Sequence, residues 1–359
     1  MEIKITPVAP EERQIPPEDI SNIVFGSQFT NHMFLMEWDK NVGWHDARIE
    51  KYHSLTLEPS AIIFHYGQEA FEGLKAYCTV DGKYVLFRPE QNFARFNKTA
   101  RRMCLPELDQ AFALRALKRL LEQDIEWIPK AEGTSLYIRP TIIATEPALG
   151  LKQSASFLFF IILCPVGPYY SEGFNPVKII VSEEYTRAAP GGVGEAKTAG
   201  NYAASNLAEK KAKEHGFTQV LWLDAVERRY VEEVGSMNIF FVIDDEIITP
   251  QLTGTILPGI TRDSVLQVGK HWGLTMTERR ISIEEVMEAV ENGALTEIFG
   301  SGTAAVISPV GELHYHGKKY IIKDGKTGPC ARRFFDEIVG IQYGKVEDPF
   351  RWLEPVLSA

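Results

Sequence analysis

A glycine-rich segment that carries one lysine, Lys197, and runs directly into a helical pattern is the feature that most limits how this chain folds. The segment, Gly191–Tyr202, reads GGVGEAKTAGNY. From Tyr202 to Lys213, small and apolar residues recur at helical spacing, which predicts flexible backbone delivering the lysine to the start of a helix. A lysine in this setting suits two chemistries. It grips a phosphate as a point charge, or it forms a Schiff base with a carbonyl cofactor.

The composition is that of a globular protein. The 359 residues are 45% hydrophobic and 24% charged, which is enough for two domains with cores of their own. The net charge of −10 argues against nucleic acid or an anionic membrane as a partner. The most apolar run, 157–164, is too short to span a bilayer, and the N-terminus shows no signal-peptide pattern. Four widely separated cysteines predict no metal or redox pair and indicate a reduced, cytoplasmic compartment.

Strand and helix patterns are interspersed along the chain and predict a mixed α+β or α/β architecture. A Pro- and Gly-rich segment, 165–176, predicts a connection between a small N-terminal α/β domain, 1–164, and a larger C-terminal domain, 177–359. The predicted helices are Pro89–Met103, a helix with Asp109 as its N-cap, Tyr202–Lys213, Thr261–Trp272, Ile283–Glu291 and Pro329–Ile341. The predicted strands are 34–38, 83–87, 157–164, 177–181, 220–223, 230–233, 239–243 and 295–299.

The lysine segment also has features of a phosphate-binding P-loop. Gly191–Thr198 reads G-x-x-x-x-A-K-T, and the apolar run Val220–Leu223 before Asp224 imitates the strand that holds a metal-binding aspartate. Two defects count against this interpretation. Ala196 stands where a P-loop has its second glycine, and residues 185–190 do not form a strand leading into the loop. A P-loop nucleotide-binding protein therefore stays open as an alternative of another class.

The Schiff-base chemistry needs an acid for the nitrogen of the cofactor ring. Glu232 and Glu233 lie on a predicted strand that ends at Gly235. Successive side chains of a strand point to opposite faces, so we expect one glutamate to point inward and the other to be solvated.

A phosphate-bearing cofactor also needs an anion site. Ile256–Asp263 opens a helix directly after a Pro-Gly turn, and N–H groups at such a helix start bind anions. Phe299–Ala304 reads FGSGTA after a predicted strand, and its glycines are expected to form a second backbone nest for an anion. A lysine, a carboxylate and two anion sites together favour the cofactor chemistry.

With these motifs in place, the sequence resembles the branched-chain amino-acid aminotransferases, which are pyridoxal-phosphate enzymes of fold type IV. The motifs are GGVGEAKTAGNYAASN, EEVGSMNIFFV, LPGITRDSVL and FGSGTAAVISP, preceded by FGSQFTNHMFLMEW, HYGQEAFEGLKAY, LFRPEQNFARFNKTARRMCLP and LYIRP. The resemblance runs from about Phe25 to Pro355. It implies a two-domain fold type IV (D-amino-acid aminotransferase-like) fold and a pyridoxal 5'-phosphate cofactor. It also implies a homodimer or dimer-based oligomer and transamination of leucine, isoleucine and valine with 2-oxoglutarate.

Two other fold type IV activities, D-amino-acid transamination and aminodeoxychorismate lyase, are alternatives within the same fold. FEGLKAY and LYIRP together favour the branched-chain enzymes.

The resemblance also implies a role for each matched residue. Lys197 is the Schiff-base lysine, Tyr202 donates to the ring hydroxyl, and Glu233 pairs with the ring nitrogen. The implied phosphate and cofactor contacts are Arg88, Ile260, Thr261, Thr303 and Ser236, the last at a position where some relatives carry threonine. The implied substrate contacts are Phe29, Tyr66, Phe71, Tyr137, Tyr169, Arg139 for a distal carboxylate, and Ala304 through its backbone N–H.

Overall fold

Helices and strands are interspersed along the chain in the computed structural model, which describes residues 1–20, 23–167 and 174–357. The α-helices in these ranges are α1 (Ile62–Tyr66), α2 (Pro89–Arg102), α3 (Gln110–Gln123), α4 (Ala199–Glu214), α5 (Ile260–His271), α6 (Ile283–Glu291) and α7 (Pro329–Gln342). The strands up to residue 181 are β1 (Lys4–Ile5), β2 (His32–Asp39), β3 (Gly43–Lys51), β4 (Glu69–Phe71), β5 (Leu74–Cys78), β6 (Tyr84–Phe87), β7 (Ser135–Ala144), β8 (Ser156–Val166) and β9 (Val177–Val181). Those that follow are β10 (Gln219–Leu223), β11 (Val231–Val234), β12 (Asn238–Ile243), β13 (Glu246–Thr249), β14 (Thr275–Glu278), β15 (Leu295–Gly302), β16 (Val306–Tyr315), β17 (Lys318–Ile321) and β18 (Leu353–Pro355).

The chain divides into two compact units. The first unit comprises Met1–Ser171, Ala196–Ala199 and Ile341–Ala359, and the second comprises Glu172–Glu195 and Gly200–Gly340. The short segment that carries Lys197 therefore belongs to the first unit, although the chain before and after it belongs to the second. The connection predicted at 165–176 covers the first change of unit, and its residues 168–173 lie outside the described ranges.

The first unit contains a sheet with the strand order β1-β3-β2-β8-β7-β5-β6-β18, and β4 pairs with β7. Its pairs are antiparallel except for β1 and β3. Helices α2 and α3 contribute the apolar faces that the sequence predicted. Phe93, Phe96 and Ala100 of α2 are buried in one core with the sheet, and Asp109 caps α3 by accepting a hydrogen bond from Phe112 N at 3.0 Å.

The second unit contains a sheet with the strand order β11-β10-β9-β16-β15-β12-β13-β14, and β17 pairs with β16. This sheet is mixed, because β9 is parallel to both β10 and β16 whereas β12, β15 and β16 are antiparallel neighbours. Small residues of α4, Ala208 and Ala212, pack with Val220 and the fully buried Trp222 of β10. Each predicted helix and strand is present, with ends that differ by a few residues. The predicted mixed architecture is confirmed.

Candidate active site

Lys197 is held by backbone hydrogen bonds within the first unit. Its N–H donates to Thr99 Oγ1 of α2 at 2.9 Å, and its carbonyl accepts from Phe71 N of β4 at 3.1 Å. The Nζ atom lies 4.7 Å from the centroid of the Phe71 ring, a distance typical of a cation–π contact. The expectation of flexible backbone around the lysine is therefore wrong at the lysine itself, because α2 and β4 fix its peptide groups.

The surroundings of Lys197 favour its neutral amine. The pKa of Lys197 falls from 10.5 to about 8, chiefly because burial disfavours the charged form and next because of the Arg95 guanidinium, against the opposing charge of Glu72. An amine with a pKa near 8 gains and loses its proton close to neutral pH. That property suits a group that attacks a carbonyl and also transfers a proton.

The lowered pKa of Lys197 predicts its reactivity. In the cofactor-free protein, acylation of Lys197 by an amine-selective reagent should rise through a midpoint near pH 8, because only the neutral amine reacts. Peptide mass spectrometry across a pH series measures this. Lys211 is the control, since its hydrogen bond to Glu184 raises its pKa and its labelling should need a higher pH. A Lys197 midpoint near 10.5 would contradict the prediction.

A buried ion pair that no sequence pattern singled out interacts with this lysine. Glu72 is fully buried and accepts two hydrogen bonds from Arg95, at 2.7 Å from Nε and 2.9 Å from Nη2, and one from Asn92 Nδ2 at 2.8 Å. These partners hold the pKa of Glu72 below its ordinary value despite its burial. The glutamate of FEGLKAY and the arginine of NFARF therefore form one charged cluster, which only the tertiary fold brings together.

Arg139 lies in an aromatic frame with part of its hydrogen-bonding capacity unused. Its Cζ atom is 4.8 Å from the Phe71 centroid and 5.3 Å from that of Tyr137, and its Nη2 donates to Tyr137 Oη at 3.1 Å. Its Nε is buried and has no hydrogen-bond partner among the described residues. A Cβ at Gly73 would lie 2.0 Å from Tyr137 Oη, so this glycine is needed for Tyr137 to occupy its place. The predicted group of Phe71, Tyr137 and Arg139 is thus assembled in one unit.

Arg88 is fixed by its backbone as well as by its side chain. It precedes α2 with φ 51° and ψ 44°, a left-handed conformation that costs free energy for a residue other than glycine. Its side chain is buried, its N–H donates to Trp352 O at 2.9 Å, and its guanidinium carbon lies 4.9 Å from the centroid of the Trp352 ring. A buried arginine set in this way at a helix start is consistent with the predicted anion contact.

The other two predicted substrate contacts that can be described are also in the first unit. Phe29 stacks on Tyr52 with 4.9 Å between ring centroids and packs against Tyr137. Tyr66, at the end of α1, is 42% exposed and donates a hydrogen bond to the carbonyl of Leu149. Tyr169 lies outside the described residues.

In the second unit, Glu233 is buried among hydrogen-bond donors. Its Oε1 accepts from Asn238 Nδ2 at 3.1 Å and from Leu257 N at 3.2 Å, and its Oε2 lies 2.5 Å from Arg187 Nε. Arg187 was not among the predicted residues. It precedes the glycine-rich segment without any motif of its own, and only the fold reveals that it pairs with β11.

The neighbouring Glu232 is buried too. The two glutamates are 7% and 2% exposed, so the expectation that one of them is solvated is wrong. The physical reason is that β11 is covered on both faces, and Thr255 donates a hydrogen bond from Oγ1 to Glu232 on the face opposite Glu233. Burial raises the pKa of Glu232.

Helix α5 begins at Ile260 and Thr261, as the Pro-Gly turn predicted. Its N-cap residue is Gly259, and no side chain caps this helix end. A Cβ on Gly259 would lie 2.0 Å from Asn238 Oδ1, so the close approach of β12 requires a glycine here. The start of a twelve-residue helix carries a partial positive charge, which suits an anionic group.

The glycines after Phe299 do not form the nest that was expected. Strand β15 continues to Gly302, and both Gly300 and Gly302 pair with β16, so the turn comprises residues 303–305. Thr303 and Ala304 are therefore at the turn itself. Ser301 Oγ is buried and has no hydrogen-bond partner among the described residues.

The remaining predicted cofactor contacts of the second unit differ in exposure. Tyr202 is half-buried in the first turns of α4. Ser236 is exposed in the turn between β11 and β12. Among the described residues there is no cluster of histidine, cysteine or acidic side chains suited to a metal ion, and no helix long and apolar enough to cross a membrane.

Comparison with known proteins agrees with this set of residues. The family model described as amino-transferase class IV matches residues 69–313, which include β4, Lys197, Glu233 and the 303–305 turn. The chain belongs to the class IV aminotransferases.

Within that family, the chain belongs to the branched-chain amino-acid aminotransferases. It is 55% identical over 335 residues to branched-chain-amino-acid transaminase 1 of Bacillus subtilis (strain 168), covering 93% of this chain and 94% of that protein. It is 54% identical over 343 residues to branched-chain-amino-acid aminotransferase 2 of the same strain, covering 96% and 94%. The family resemblance predicted from the sequence is therefore confirmed, and the P-loop alternative is wrong.

Solved structures share the fold. The branched-chain amino acid aminotransferase from Escherichia coli matches with a TM-score of 0.73 and 26% identity, covering 90% of this chain and 99% of that one. The branched-chain amino acid aminotransferase of T.th., solved with pyridoxamine 5'-phosphate, matches with a TM-score of 0.75 and 26% identity, covering 90% and 98%. The predicted fold class is confirmed.

Proposed function

We propose that this chain transfers the amino group of leucine, isoleucine or valine to 2-oxoglutarate, giving branched-chain 2-oxo acids and glutamate, with pyridoxal 5'-phosphate as cofactor. The observation that carries the proposal is the state of Lys197, a lysine fixed at its backbone with a pKa near 8. Relatives at 50% to 55% identity over more than nine tenths of the chain are named as branched-chain aminotransferases, which supports this substrate class.

The residues present fit a pyridoxal-phosphate cofactor. A buried arginine, Arg88, and the uncapped start of α5 at Ile260 and Thr261 suit a phosphate group. The orphaned Ser301 hydroxyl and the turn that contains Thr303 add donors beside β15. When bound, the cofactor supplies an electron sink that stabilises negative charge at the substrate α-carbon.

Lys197 performs two tasks in this proposal. As a neutral amine it carries the cofactor through its carbonyl carbon, and once released it moves a proton at the substrate α-carbon through Nζ. A positioned general base contributes about 10²–10⁴-fold to a rate. The lowered pKa of Lys197 provides the neutral amine that both tasks need.

Glu233 is the proposed partner of the ring nitrogen, and Tyr202 the proposed donor to the ring hydroxyl. A carboxylate beside that nitrogen keeps it protonated, and a protonated ring accepts charge more readily. Ser236 is proposed as a further cofactor contact through the turn after β11, and Ala304 as a backbone donor to the substrate α-carboxylate.

The substrate pocket has to accept both an aliphatic side chain and a carboxylate. Phe71, Tyr137, Phe29 and Tyr66 are proposed to line it, together with Tyr169. Arg139 is proposed to bind the distal carboxylate of glutamate and 2-oxoglutarate, which its unpartnered Nε and its position over Phe71 support.

A cytoplasmic homodimer, or an oligomer built from such dimers, is part of the proposal. The four cysteines are free thiols, which supports a reducing compartment, and the family resemblance supports the dimer. Sedimentation equilibrium tests the oligomeric state, and a monomer at micromolar concentration would contradict it.

The substrate proposal is tested by steady-state rates with 2-oxoglutarate as acceptor and a panel of donors. L-Leucine, L-isoleucine and L-valine should be good donors, whereas D-alanine should be a poor one. The matching enantiomer D-leucine is the control for hydrophobicity alone. Comparable rates with D-amino acids would replace this proposal by a D-amino-acid aminotransferase.

Changing Glu233 to glutamine tests its proposed role. Glu233→Gln should lower kcat about 10- to 150-fold, the equivalent of the ~1.5–3 kcal/mol contributed by a hydrogen bond to a charged group. The loss should appear mainly in kcat, with cofactor affinity from fluorescence titration reduced less. Glu232→Gln is the matched control, because Glu232 is equally buried and bonded to Thr255. Damage from Glu232→Gln with Glu233→Gln silent would show that the role belongs to Glu232 instead.

A further inference from the structure

Glu69 is a buried acidic residue that no motif identified. It opens β4, pairs with Ile143 of β7, and is 6% exposed. Burial raises the pKa of Glu69, and the N–H of Ala199 is the main interaction that opposes this. A buried carboxylate costs free energy unless it makes compensating interactions, so the partners of Glu69 indicate what it does for the fold.

Those partners are the two residues after Lys197. The side-chain Oε1 of Glu69 accepts a hydrogen bond from Ala199 N, and its backbone carbonyl accepts one from Thr198 Oγ1 at 2.9 Å. With the bonds from Lys197 N to Thr99 and from Phe71 N to Lys197 O, four hydrogen bonds hold three consecutive residues. All of them lie within the first unit, to which Ala196–Ala199 belongs.

The charge of Glu69 also suits the helix that follows. Helix α4 begins at Ala199, is sixteen residues long, and has no acidic residue in its first turn. The N–H groups at a helix start carry partial positive charge, and an acidic side chain there is stabilising. Glu69 supplies that charge from a position 130 residues earlier in the chain.

We propose that Glu69 is a positioning residue for Lys197, which fixes the lysine by anchoring Thr198 and the first N–H of α4. This role rests on the proposed function of Lys197. Without the anchor, the lysine backbone gains freedom, its amine leaves the Phe71 ring for water, and turnover falls while substrate binding is largely kept. Glutamine at position 69 retains an oxygen that accepts the Ala199 N–H, so it preserves most of the anchoring.

The test compares Glu69→Ala with Glu69→Gln and with a matched control. Glu297 is the control, because it is also a buried glutamate on a strand and also accepts backbone N–H groups at a helix start, from Cys330 and Ala331 of α7 at 2.9 Å. Glu297→Ala therefore reproduces the loss of a buried helix cap in the second unit without touching the Lys197 segment. Three properties are measured: amide hydrogen exchange, amine labelling against pH, and kcat with KM for leucine.

Exchange and labelling use the full-length cofactor-free chain. Glu69→Ala should accelerate amide exchange at Lys197 and Ala199 at least tenfold and move the labelling midpoint of Lys197 from about 8 toward 10.5. Lys75 is the internal reference, since burial alone lowers its pKa to about 8 and its midpoint should not move. Kinetics should show kcat reduced at least tenfold with KM for leucine changed less than threefold. Glu69→Gln should recover most of each loss.

Several outcomes would overturn the proposal. Unchanged exchange and labelling in Glu69→Ala would show that Thr99 and Phe71 hold the lysine alone. Equal changes in Glu297→Ala, or a parallel shift of Lys75, would show a general loss of stability. A Gln variant as damaged as the Ala variant would show that hydrogen-bond anchoring is not the role. Because exchange and labelling need no turnover, they still report on Glu69 even if the wild-type chain fails to transaminate branched-chain substrates.

Discussion

Lys197→Ala is expected to abolish transamination while leaving measurable cofactor binding. The variant loses the amine that carries the cofactor and the base that moves the α-proton. The second loss alone is worth about 10²–10⁴-fold in rate. Arg88, Glu233 and the start of α5 are unchanged, so a weakened noncovalent site should persist. Measurement of kcat with leucine and 2-oxoglutarate, together with the visible spectrum of the cofactor before and after borohydride, checks both parts.

The control for this prediction is Lys211→Ala in the same helix, α4. Lys211 is an exposed lysine bonded to Glu184 and Tyr185, and removing an exposed pair of this kind changes stability by about 1 kcal/mol or less. Its kcat should stay close to that of the wild type. Near-native turnover and an unchanged borohydride-sensitive band in Lys197→Ala would show that another lysine carries the cofactor.

Local patterns were sufficient to predict the elements that carry the site. The apolar spacing of Phe93, Phe96 and Ala100 predicted α2, and Asp109 predicted the start of α3, because both signals lie within a few residues of the structure they determine. The start of α5 at Ile260 is also local, since it follows from a Pro-Gly turn.

Contacts between distant residues could not be predicted in this way. Glu69 and Ala199 are 130 residues apart, and β4 is too short for a periodic pattern to indicate its partners. Arg187 pairs with Glu233 across a separation that no motif encodes. Alternation along β11 correctly placed its two glutamates on opposite faces, but it carried no information on whether each face is covered.

The expected effect of Arg139→Gln separates the two substrates of one pocket. Leucine brings no charged side chain, whereas glutamate and 2-oxoglutarate bring a second carboxylate. An arginine that pairs with that carboxylate should contribute on the order of 2–5 kcal/mol toward the acidic substrates, because its loss leaves a desolvated charge unpaired. The half-reaction with glutamate should therefore slow by roughly 30- to several-thousandfold, while that with leucine changes less than about tenfold.

Pre-steady-state measurement of each half-reaction distinguishes these effects, since each ends in a spectrally distinct form of the cofactor. Tyr137→Phe provides a graded comparison. It removes only the hydroxyl that accepts from Arg139 Nη2, and one such bond is worth about 0.5–1.5 kcal/mol. The glutamate half-reaction should then weaken by roughly 2- to 12-fold, in the same direction as Arg139→Gln. Equal losses for leucine and glutamate in Arg139→Gln would mean that Arg139 supports the aromatic frame of Phe71 and Tyr137, and that the distal carboxylate is bound elsewhere.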